Sequence, residues 1–134
     1  MPTVTVLARA NLALFALQVL HVLDHVVHQP DRQLAGAIIA TGVLGFITNG
    51  TSTALALRRH PLAGWASVVV GFGTAIGLVL VHAVPYWSAF SDPYTAFGAD
   101  VVSWVPLIIT IAMSAFLGVL GWREVSARTD PARA

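Results

Sequence analysis

The stretch "VVSWVPLIITIAMSAFLGVLGW" runs from Val101 to Trp122 without one charged side chain. At about 1.5 Å per residue, a helix of this length crosses the roughly 30 Å hydrocarbon layer of a membrane. Three more blocks of the same character are found upstream, over about residues 11–28, 34–57 and 62–85. Overall, 57% of the chain is hydrophobic and only 10% is charged. Soluble domains carry about 25% charged residues, spread among the apolar ones. The expected fold is therefore an all-α membrane protein of four transmembrane helices. Short connections between them favour an up-down-up-down antiparallel bundle over residues 1–122, followed by a disordered cytoplasmic tail at 123–134.

The first block differs from a cleaved signal peptide. It has a single early arginine, ends in histidines and Gln29-Pro30, and lacks an Ala-x-Ala site. It is read as a retained first helix. Orientation follows from the basic residues, all of which are arginine. Arg9, Arg58, Arg59, Arg123, Arg128 and Arg133 fall on one side of the expected spans, and only Arg32 falls on the other. The positive-inside rule then places both termini and the "RRHP" loop in the cytoplasm.

Because topology accounts for the arginines, the net charge of +1 carries no nucleic-acid signal. The absence of cysteine excludes disulfides, thiolate metal sites and iron–sulfur clusters. Arginine without lysine points to a GC-rich genome, and so to a bacterial inner membrane as the location.

Against this apolar background one segment is anomalous: "LQVLHVLDHVVHQPDR", Leu17 to Arg32. A charged residue at the centre of a span costs about 2.5–3.5 kcal/mol on translocon scales, so such groups need a reason. At 100° per residue, Asn11, Gln18, His21, Asp24, His25 and His28 occupy an arc of about 140°, opposite a face of Ala, Leu and Val. That polar face must meet the bundle interior, a cavity or a partner subunit.

The polar residues crowd toward the outer end of the helix. His82, three residues before Pro85 on a second outward-running helix, falls at about the depth of His25. Residues at i, i+3, i+4 and i+7 share one helix face, and two histidines at i and i+4 can hold one ion. The expected metal ligands are His21, Asp24, His25, His28 and His82, with Asp24 as a ligand or as the group orienting an imidazole. Nitrogen and oxygen donors without sulfur suit a transition metal ion such as Zn, Cu or Fe. A b-type haem between His25 (or His21) and His82 is the competing cofactor. The glycines of helix 3 bear on that slot, but Gly73-x-x-x-Gly77 is better read as a close helix-packing motif.

Two other features stand out. "TNGTST", Thr48 to Thr53, is read first as a kink or as interhelical hydrogen bonding from Asn49 and the threonines, and second as the inner part of a polar path. "PYWSAFSDPYTAFGAD", Pro85 to Asp100, is rich in aromatics that anchor spans at the headgroups. It is long for a connection and lies above the histidines, so it is expected to fold over them, with Ser91-Asp92-Pro93 as a turn. Asp92, like Asp24, is a candidate catalytic acid or base.

Taken together, these features point to a membrane protein with a His/Asp metal site opening to the outer face, acting on a lipid-soluble substrate by metal-activated water or oxygen chemistry. The alternatives are a haem electron-transfer protein and a small transporter or accessory subunit using the polar face as a proton or metal relay. A homo-oligomer or a larger membrane complex could supply a partner.

Overall fold

The computed structural model describes residues 5–28 and 36–129. The expected outer turn at Pro30 to Arg32, the start of the second block at 34–35 and the last tail residues, 130–134, lie outside them.

The described chain is all-helical. Helix α1 (Val6–Val27) begins five residues before the apolar block suggests, because Thr5 caps it by accepting the Ala8 amide at 3.2 Å. Helix α2 (Gly36–Leu57) runs through Asn49-Gly50 without a break. Helix α3 (Ala63–Leu78) continues into a π-helical turn at Val79–Ala83, closed by the Val84 amide on the Val79 carbonyl at 3.1 Å. A short helix, α4 (Tyr94–Phe97), interrupts the connection from Val84 to Asp100, and α5 (Val101–Thr129) is the longest element. Four of these segments are long and apolar enough to cross a membrane: 6–27, 36–57, 63–83 and 101–128. The chain fits a multi-pass membrane protein.

One expectation fails at the C-terminal end. Where a disordered tail was expected from residue 123, α5 stays helical to Thr129. Arg128 pairs with Glu124 one turn earlier at 2.9 Å and donates to the Pro61 carbonyl at 3.0 Å. The helix end is thus tied to the α2–α3 connection.

The tightest helix contact is between α3 and α5, and glycine makes it. A Cβ on Gly71 would stand 2.7 Å from the Ser114 carbonyl, and one on Gly121 would stand 2.7 Å from the Gly64 carbonyl. Close backbone approach of this kind is how helices associate in lipid, where water exclusion offers no drive. The expected packing pair, Gly73 and Gly77, does not take part: a Cβ at either meets open space. Residue 73 lies about 200° around the helix from residue 71, on the opposite face.

Polar side chains pack the half of the bundle away from the histidines. Asn11 Nδ2 donates to Ser67 Oγ and to the Leu7 carbonyl, both at 2.9 Å, while its Oδ1 accepts from Ser52 Oγ at 2.7 Å. Asn49 donates to Gln18 Oε1 at 3.0 Å. Thr48 and Thr51 turn back to carbonyls of their own helix. The "TNGTST" run therefore ties α1, α2 and α3 together instead of kinking α2. Below the histidines, Leu14 and Leu117 are fully buried, with Ala10 and Val70 beside them.

Candidate metal centre

His21 and His25 are one turn apart on α1, so both imidazoles leave the same helix face. His82 comes from the π-helical turn at the end of α3. A π turn holds one more residue than an α turn and re-aims whatever follows it, a device frequent at functional sites. The three rings meet, with centroids 4.9 Å apart for His21–His25, 5.0 Å for His21–His82 and 5.3 Å for His25–His82. One ligand atom from each lies within 4.8 Å of the others, so the three could hold a metal ion. His21 and His82 are buried and His25 is half-buried.

Hydrogen bonding fixes how two of the rings are used. Nδ1 of His82 is 3.1 Å from the Asp92 carbonyl oxygen, which can only accept, so that nitrogen carries the proton. In the neutral ring Nε2 of His82 is then unprotonated, and it lies 3.2 Å from Nε2 of His21. In the metal-free pair His21 donates from Nε2, which leaves its buried Nδ1 with no hydrogen-bond partner among the described residues. A cation that displaces the shared proton meets two nitrogens already spaced for it. With metal–nitrogen bonds of about 2.05 Å, nitrogens 3.2 Å apart subtend about 103° at the ion, near the tetrahedral angle.

Asp24 and His28 were expected in the same ligand set, and here they turn to each other. His28 Nδ1 is 3.0 Å from Asp24 Oδ1, the same oxygen that accepts Ser103 Oγ at 3.2 Å. Asp24 is buried facing α5, whereas the His28 side chain is 47% exposed. Neither belongs to the group of three whose ligand atoms converge.

Asp92 is drawn in from the connection between His82 and α5 and is only 2% exposed. Its amide donates to the Val81 carbonyl at 2.8 Å, its carbonyl accepts from His82, and its carboxylate Oδ2 stands 3.9 Å from the same His82 Nδ1. It therefore touches the rear nitrogen of a prospective ligand and not the space between the three rings.

The turn at Ser91 is made by its hydroxyl, which accepts the Trp87 and Ser88 amides at 3.0 and 3.1 Å. After Pro93, α4 lowers Tyr94 onto the histidines, and Gly98, at φ 69°, ends the helix in a left-handed conformation that suits glycine.

Tyr94 is the residue that sequence reasoning missed. It is fully buried, its ring centroid lies 4.7 Å from that of His82 and 5.9 Å from that of His25, and Phe97 and Trp104 hold it edge-on. The 84–100 connection thus forms the roof of the site. The only cue was position, two residues beyond an acid in a loop above the histidines. Ser103, the partner of Asp24, gave no cue.

No protein-family model, curated protein or solved structure matches this chain.

Proposed function

We propose that the chain is a four-pass membrane metalloprotein holding one transition metal ion, of the Zn, Cu or Fe class, on His21, His25 and His82. The observation that carries this reading is the convergence of three imidazoles from two helices within 4.8 Å. Three histidines leave the fourth position of a tetrahedral site to water or substrate, as in catalytic rather than closed structural zinc sites. The reaction class is metal-activated water or oxygen chemistry on a small lipid-soluble molecule. Asp24, one residue from His25 on α1, is the candidate acid or base.

The helices alternate in direction across the membrane. Contacts of Asn11 with Ser67 and of His21 with His82 support a common sense for α1 and α3. Contacts of Gln18 with Asn49 and of Asn11 with Ser52 support the opposite sense for α2. The arginine distribution orients the histidine end outward, with both termini in the cytoplasm of a bacterial cell.

The metal reading is favoured over haem by the 3.2 Å between His21 and His82 Nε2. Two axial imidazoles stand about 4 Å apart with a macrocycle between them. An enzyme is favoured over a transport path by the inner half, where Asn11, Asn49, Ser52 and Ser67 are buried and bonded to one another. That packing supports a site closed toward the cytoplasm.

The test is metal content by mass spectrometry with a visible spectrum, on protein purified in mild detergent, for wild type and His25→Ala. One metal per chain, lost in the variant and without a Soret band, is the expected result. No metal after exposure to Zn, Cu and Fe contradicts the reading.

A further inference from the structure

The outer connection is attached to the His82 segment at three successive residues. The Trp87 indole Nε1 donates to the Leu80 carbonyl at 2.8 Å, the Asp92 amide donates to the Val81 carbonyl at 2.8 Å, and His82 Nδ1 donates to the Asp92 carbonyl at 3.1 Å. The last carbonyls of a helix have no partner within it, and in a membrane they must find one elsewhere. Here the loop supplies it. The bonds that satisfy the end of the span are therefore the bonds that seat the loop, and one of them sets the tautomer and aim of a prospective metal ligand. Tyr94, two residues beyond Asp92, closes the space above the three rings and is itself fully buried.

We propose that Asp92 is a positioning residue for the metal centre and that it acts from the loop, so that seating the loop and binding the metal are one event. This rests on the metal reading above. With the loop lifted, His82 loses the acceptor that keeps its Nε2 bare, and its ring is free to turn away. With the loop seated, the trio is assembled but roofed by Tyr94. An ion arriving from the outer aqueous side therefore enters through the lifted state and is retained in the seated one. A ligand that binds only one of two states shifts the balance toward it, so bound metal must hold the loop down.

The chain has no cysteine, so one introduced thiol reports on the loop without background. Ser91→Cys places that thiol at a buried position of the turn, and because the Ser91 hydroxyl accepts the Trp87 and Ser88 amides every comparison is made within this variant. Its labelling by a membrane-impermeant maleimide then measures how often the loop lifts. In the full-length protein with Zn as the probe, labelling is expected to slow as free Zn rises, by about 100-fold at one hundred times the dissociation constant.

Adding Trp87→Phe removes the bond to Leu80 and touches no ligand. It is expected to speed both labelling of the metal-free protein and the rate of Zn uptake, by the same factor. A substitution that merely destabilised the fold would not link those two rates. Because the bonded acceptor is the Asp92 backbone carbonyl, Asp92→Asn and Asp92→Leu keep it and are expected to weaken Zn binding by less than about 10-fold, below the usual range for losing a group behind a ligand.

If Zn binds with one ion per chain and is lost in His25→Ala, yet labelling of Cys at position 91 is indifferent to it, the loop proposal is wrong and the metal reading stands. If neither Zn, Cu nor Fe binds, both fall.

Discussion

His21 and His82, on different helices, stand with their Nε2 atoms 3.2 Å apart, and the second ring is oriented from behind by the Asp92 carbonyl. This pairing divides the histidines of the chain into those that converge and those that do not, and the first expectation follows from the division.

His21→Ala, His25→Ala and His82→Ala should each abolish tight metal binding. His28→Ala should not: its ring bonds Asp24 and reaches solvent, so a loss of less than about tenfold, below the usual range for groups behind a ligand, is expected. Titration of the four variants with Zn or Cu checks this. Equal losses in all four would restore His28 to the ligand set.

Asn11→Ala should destabilise the bundle without emptying the site. The residue is fully buried and bonds Ser67, Ser52 and the Leu7 carbonyl. Interhelical polar bonds in membranes are worth about 0.6 kcal/mol on average and up to about 1.7, so losing several should cost about 1–3 kcal/mol. Unfolding in detergent measures the cost, and metal content should stay at one per chain.

The glycine contact makes a paired prediction. Gly71→Ala forces α3 and α5 apart and should cost about 1–3 kcal/mol, as overpacking does. Gly73→Ala meets open space and should be neutral or slightly stabilising, since alanine favours helix by up to about 1 kcal/mol. Comparable destabilisation by both would place the close packing on the wrong face of α3.

Topology is testable by single cysteines in intact cells. Phe90→Cys, in the outer connection, should react with an impermeant maleimide added outside. His60→Cys, in the loop between α2 and α3, should react only after the membrane is opened. The reverse pattern would invert the orientation drawn from the arginines.

Much of this was legible in the sequence because each signal was local. Four spans announce themselves by composition, and His21 with His25 on one face follows from helical spacing. The meeting of His82 with them was legible from depth alone, since Pro85 marks where that helix must end. His28 and Asp24 share that helix face by spacing but bond each other and stand outside the three that converge, a choice of partner that spacing does not encode.

Other features depend on helix rotation or tertiary contact, which spacing does not encode. Gly71 and Gly73 look alike until it is known which face of α3 meets α5. The π turn that aims His82 has no signature in apolar periodicity. Tyr94 was indistinguishable from its neighbours Tyr86 and Trp87, whose aromatic rings are exposed, because membrane anchoring explains any aromatic near an interface. Glu124 and Arg128, at i and i+4, were a readable sign that α5 continues past Trp122.

The most direct measurement is X-ray absorption at the metal edge of the loaded protein, compared with His82→Ala. Three imidazole nitrogens at about 2.0–2.1 Å, with one further light atom at the open position, are expected, as is loss of that signature in the variant. A metal bound mainly by oxygen, or imidazole scattering unchanged in His82→Ala, would contradict the three-histidine site.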